Sequence, residues 1–140
     1  MAEAESAMRS EIQVYFRLRG FPMSPADLTA ELGVEPTDTW QVGQPRRLAK
    51  GAFKENGWEI SSGLEKAADL EAHVHALLEK ITPHREKFKK VSASYPPELV
   101  CVVYSYGGDR PALFFTREVV RELAMLNVEI GIDLYVMDGD

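Results

Sequence analysis

The sequence predicts an α+β domain built on a mainly antiparallel sheet with helices packed on one face, ferredoxin-like in kind, with element order β-α-β-α-β-β-α-β. Three observations carry this expectation. Apolar residues alternate near both ends of the chain, at Ile12, Val14, Phe16 and Leu18 and again at Val128, Ile130, Ile132, Leu134 and Val136, the period of a strand with one face in a core. Leu70, Val74, Leu77, Leu78 and Ile81 instead recur at helical spacing, so a helix must bury that stripe against the sheet. Gly107 and Gly108 separate two short apolar runs, as the turn of a hairpin does.

The first strand covers Ile12 to Leu18, with Gln13, Tyr15, Arg17 and Arg19 on its polar face. Ser24, Pro25 and Asp27 then supply an N-cap, a preset first-turn proline and a first-turn carboxylate, and Gly33 stops a short helix after Leu32. From Val34 to Lys54 periodicity disappears, and Pro36, Gly43, Pro45 and Gly51 interrupt any regular element, predicting a long irregular loop around Trp40. Asn56 and Gly57 read as a turn pair introducing a short strand through Trp58 and Ile60. The longest helix is expected from about Leu64 to Ile81, ended by Pro83, with another turn or two from His84 to Val91 before Pro96 and Pro97. Leu99 to Tyr104, apolar on both faces, reads as an interior strand and Ala112 to Phe115 as its hairpin partner. Thr116 caps a helix carrying Val119, Val120, Leu123 and Leu126, Asn127 stops it, and the final strand follows.

At 140 residues the chain has the size of one domain, expected over residues 11–137 after a disordered or loosely held N-terminus at residues 1–10. A formal charge of −6 disfavours association with nucleic acid or anionic membrane. Two basic clusters, Arg46, Arg47, Lys50 and Lys54 and then Arg85, Lys87, Lys89 and Lys90, lack the interleaved aromatics of a single-strand binder and read as solvated surface. Cys101 is the single cysteine, which excludes an intrachain disulfide and fits a reducing, cytoplasmic compartment. The first ten residues lack the apolar core of a signal peptide, and no apolar run approaches the roughly 20 residues of a membrane span.

Leu32, Gly33 and Pro36, then Trp40 and Gly43, Trp58 before Ser61, and a closing strand with Asp133 and Tyr135 together resemble the bacterial family called domain of unknown function 4279, across nearly the whole chain. The resemblance implies no enzymatic activity and no residue role. Small acidic domains of this general kind look similar to immunity proteins, which neutralise bacterial toxins by binding them, and that is an analogy of kind.

No catalytic, cofactor or metal constellation is expected. Glu71, His75 and Glu79 share one helical face, a spacing equally common on solvated helices. Cys101 lies in an apolar strand, where a thiol acts as a small hydrophobe, and Ser61, Ser62 and Gly63 do not form a nucleophile elbow. No phosphate-binding glycine loop is present, since Asp109 and Arg110 follow the glycine pair. Two groups of binding residues remain. Trp40, Gln41, Arg46 and Arg47 put an aromatic anchor beside guanidinium donors in the long loop, residue types enriched at binding hot spots, although Trp40 reads equally as a plug at the core edge. Arg17, Glu59, Asp133 and Tyr135 project from the polar sheet face, as structural pairs or as the floor of a recognition site. The leading expectation is a noncatalytic binding domain of immunity type, using the loop and open sheet against a protein partner such as a basic toxin. The alternative is a small-molecule site or enzyme built on the four sheet residues, and homo-oligomerisation through the open sheet is compatible with either.

Overall fold

The alternation in β1 (Glu11–Arg19) places Ile12, Val14, Phe16 and Leu18 in the core and leaves Gln13, Tyr15 and Arg17 on the opposite face. In this computed structural model, which describes residues 9–137, that strand is the centre of the sheet. The expected N-terminal segment thus falls largely outside the described residues. Serine and proline act locally as anticipated at α1 (Pro25–Leu32): the Ser24 side chain accepts from the Asp27 N–H, and Gly33, at φ 78°, donates back to the Thr29 carbonyl.

The remaining elements are β2 (Asp38–Trp40), β3 (Gly57–Ser61), α2 (Leu70–Ile81), a 3₁₀ turn (Thr82–His84), α3 (Arg85–Ser94), β4 (Glu98–Tyr106), α4 (Arg117–Met125) and β5 (Glu129–Met137). The sheet order is β2-β3-β1-β4-β5, antiparallel at its first three pairings and parallel between β4 and β5. The fold is therefore α+β with a mainly antiparallel sheet. All four helices send apolar residues into one core with the inner face of the sheet, among them Leu28, Leu77, Phe88 and Leu123. Phe88 of α3 meets Phe16 and Trp58 edge-on, with centroids 5.6 and 6.1 Å away, while Trp58 donates its indole N–H to Thr29 Oγ1 at 3.0 Å. That hydrogen bond satisfies the polar atom of a fully buried tryptophan.

The structure differs from the sequence reading in three places. Ala112 to Phe115 is not a strand, because β4 already pairs with β1 on one edge and β5 on the other and has no edge left for a hairpin partner. The glycine pair still turns the chain, with Gly107 and Gly108 at positive φ, but the parallel pairing of β5 is reached by a crossover through α4. The fifth strand instead comes from the long loop: Asp38–Trp40 extends β3, and a bridge between Pro45 and Ala52 folds the rest into a narrow excursion. Finally, α2 begins at Leu70 rather than near Leu64, where Asp69 caps it by accepting from Ala72 N–H, and α3 runs on to Ser94.

Candidate functional site

The Val34 to Lys54 segment folds back over the outer sheet face. Trp40 lies directly across from Gly57 in the β2–β3 register, and its indole covers the space a side chain at Gly57 would fill. Phe53 stacks on the other side of that indole, with centroids 5.4 Å apart and planes 25° from parallel. Backbone bonds between Gly43 and Phe53 and between Phe53 and Gln44 hold the excursion closed. Asn56 ties it to the body, accepting from the Val42 N–H and donating to the Phe21 and Met23 carbonyls. Trp40 is thus neither a core plug nor a free anchor; it is one wall of a cleft.

That cleft has a volume of about 470 Å³ and is lined by Arg17, Asp38, Trp40, Arg46, Arg47, Leu48 and Glu59 with Phe53 and Ala49. Arg17 Nε meets Glu59 Oε1 at 2.9 Å, and Arg47 grips both Asp38 oxygens at 3.0 and 2.7 Å. The Asp38 hydrogen bonds and charge raise the Arg47 pKa further above its already high ordinary value. Each carboxylate of the cleft is therefore matched, whereas Arg46 makes no ion pair among the described residues, so the cleft carries surplus positive charge on an acidic protein. Leu48 beside it is fully exposed. Burial first, and the Glu59 charge second, push the neighbouring Tyr15 phenol upward, keeping it neutral.

Arg17 also borders a second hollow, of about 230 Å³, which it lines with Arg19, Glu55, Pro96, Glu98 and Glu129. The open face thus changes sign across Arg17, from a basic cleft under the loop to a hollow with three carboxylates. Neither Glu55 nor Glu98 stood out in the sequence; their convergence depends on strand register, which brings Arg17 opposite Glu98 and Glu98 opposite Glu129.

The eight candidate binding residues do not form one site. Arg17, Glu59, Trp40, Arg46 and Arg47 converge in the cleft, uniting parts of both groups. Gln41 stands outside it, exposed, its backbone N–H bonded to Gln44 Oε1. Asp133 and Tyr135 are separated from Arg17 because β4 lies between β1 and β5 and the register sets them level with Val102 and Tyr104. Tyr135 stacks on Tyr104 at 4.9 Å. The expected pairing of Asp133 or Tyr135 with Arg17 or Tyr15 is accordingly not formed.

The residues weighed for chemistry have ordinary settings. Cys101 is fully buried, and burial followed by the Asp133 charge pushes its thiol up to about 11, leaving it protonated. Glu71 and His75 approach to 3.9 Å on the exposed face of α2. His73 is a contact that sequence missed: it is buried on α2 with Nδ1 2.5 Å from Ser62 Oγ, beside a hollow lined by Gln13, Tyr15 and Thr37, while its Nε2 has no partner among the described residues. Burial lowers its pKa against the opposing influence of the Ala68 backbone and Asp69. A histidine whose folded pKa lies below its unfolded value of about 6.5 contributes full stability above that pH, lost as pH falls from it toward the folded pKa. Urea unfolding should therefore show the wild type losing stability between about pH 7.5 and pH 5.5, with His73→Gln losing less; equal losses would place the acid sensitivity elsewhere.

These observations define an α+β domain with a loop-covered cleft on its open sheet face. The chain belongs to the family Domain of unknown function (DUF4279), whose model matches residues 10–137. No curated protein and no solved structure matches it.

Proposed function

We propose that this protein is a noncatalytic binding domain whose cleft takes an acidic group of a protein partner. The observation that carries the reading is the combination of Arg46, which makes no ion pair among the described residues in a cleft whose other charges are matched, with the Trp40–Phe53 stack and the fully exposed Leu48 beside it. Arginine and tryptophan at a concave, partly apolar surface are the residue types that dominate binding energy. The hollow with Glu55, Glu98 and Glu129 next to it suits a basic group on the same partner. Neutralisation of a toxin, as by an immunity protein, is the biological form of binding we favour. A basic toxin would meet this hollow and the acidic remainder of the surface, while the loop itself asks for a carboxylate. The single buried thiol fits action in the cytoplasm of a bacterium.

Affinity capture from the native lysate, with the Trp40→Ala, Arg46→Ala double variant alongside, tests this. The expected result is a stoichiometric protein recovered by the wild type and lost by the folded double variant. Recovery by both would remove the loop from the site. A second reading follows from cleft size, since about 470 Å³ lies within the range of small-ligand sites. An anionic metabolite that raises the melting temperature of the wild type but not of the double variant, with no protein captured, would replace the first reading with this one.

A further inference from the structure

β5 closes the sheet beside β4, and its outer edge pairs with nothing among the described residues. On its helix side Ile130, Ile132, Leu134 and Val136 are 39%, 42%, 51% and 75% exposed. Leu99, Cys101 and Val103, level with the first three of them on β4, are at most 1% exposed, and Ser105, level with Val136, is 7% exposed, so a stripe that is buried on β4 continues bare on β5. Folded proteins commonly shield a long edge with lysine, proline, a bulge or a shortened strand. This edge runs nine residues with neither lysine nor proline, its charges confined to Glu129 and Asp133 on the outer face.

Helix α4 widens the bare surface. Val119 and Leu123 point into the core, and Glu122 is held by Arg85 of α3. At about 100° per residue, Val120 then lies on the flank of α4 away from α3, toward β5, where it is 49% exposed.

We infer that β5 is the interface of a homodimer, pairing antiparallel with β5 of a second copy across a two-fold axis at Ile132. The strand's own pattern selects both the occupant and the register. An antiparallel pair about a two-fold axis centres on a residue, because directly opposite residues share a face and a hydrogen-bonding direction. Centring on Asp133 opposes two carboxylates, centring on Gly131 opposes Asp133 to Glu129, and centring on Leu134 leaves Ile130 without a partner among the described residues. Centring on Ile132 instead matches Ile132 with itself, Ile130 with Leu134 and Val128 with Val136 on the helix side. On the outer side it matches Glu129 with Tyr135 and Asp133 with Gly131, where a Cβ would meet nothing within 4 Å. Pairing the two edges sets the bare β5 stripes side by side, with the exposed Val120 of each α4 flanking them. The cleft lies toward the opposite edge of the sheet, at β2 and β3, so dimerisation leaves one open cleft on each copy.

Light scattering across a concentration series, with the Ile132→Lys variant, tests the interface. The wild type should have twice the chain mass, and Ile132→Lys, placing two ammonium groups on the axis, should weaken the dimer by at least about tenfold. Because the position is exposed, the variant should keep its circular dichroism spectrum. An Ile132→Cys variant provides a second reading that requires no disruption: directly opposite Cα atoms fall within disulfide reach, so a covalent dimer should form on mild oxidation. A monomeric wild type, a dimer indifferent to Ile132→Lys, or cross-linking by Leu134→Cys in place of Ile132→Cys would overturn the proposal.

Discussion

Replacing Trp58 with alanine should destabilise the fold by about 3 to 5 kcal/mol, against the roughly 5 to 15 kcal/mol that a domain of this size has in total. Trp58 is 0% exposed, it packs edge-on against Phe88, and its Nε1 donates to Thr29 Oγ1. The substitution empties the space where β3, α1 and α3 meet and removes a hydrogen bond between β3 and α1. Thr29 keeps its own bond to the Pro25 carbonyl, so most of the loss comes from the cavity and the burial forfeited. Trp58→Phe retains much of the volume and loses chiefly the indole bond, a smaller effect of about 1 kcal/mol plus local repacking. Urea unfolding checks both; a Trp58→Ala loss under about 1 kcal/mol would mean that the core collapses around the gap far more readily than its packing implies.

Gly57→Ala should cost about 1 to 3 kcal/mol and remove one wall of the cleft. A Cβ there would overlap Cε2, Cζ2 and Nε1 of Trp40. The atoms concerned belong to an indole held between the strand and Phe53, so relief requires Trp40 to swing away, taking one wall of the cleft with it. The expected signs are a change in tryptophan fluorescence and loss of whatever the wild-type cleft captures. The double variant with Trp40→Ala identifies the cause, since removal of the indole removes the clash. The cost of Gly57→Ala should therefore largely vanish in the Trp40→Ala background, a non-additivity that unfolding measurements resolve. Equal costs in both backgrounds would show that the glycine is needed for the strand backbone instead.

Much of the fold was readable because the signals were local. The caps at Ser24 and Thr116 work within one turn of their own helices. The alternation in β1 reports which side of one strand is dry. Gly57 shows where such reading stops. It looked like half of a turn pair with Asn56, yet it sits inside β3, and its lack of a side chain serves a tryptophan seventeen positions earlier in the chain. Asn56 likewise spends its amide on carbonyls of Phe21 and Met23. The false hairpin at Ala112 to Phe115 has the same origin: its glycine pair does turn the chain, but whether a partner strand forms depends on which edges of β4 are free.

The candidate site divides along that line. Arg46, Arg47 and Trp40 were recognisable as a group because they share one loop, and Arg17 and Glu59 because each faces the polar side of its strand. That they share a cleft follows from the antiparallel pairing that sets Arg17 opposite Glu59 and Asp38 opposite Glu59. Asp133 and Tyr135 have the same residue chemistry and the same facing, and strand order alone takes them away.

By itself the sequence determined the period of each main element, the caps that bound two of the helices, the α+β class and the apolar stripe of the last strand, because these depend on residues a few positions apart. The tertiary structure decided strand order, the conversion of a loop into β2 and a cleft wall, the separation of Asp133 from Arg17, and the bare state of the β5 stripe. Those outcomes rest on which edges and faces remain free once the rest of the sheet has assembled, a competition among distant segments that no local pattern records.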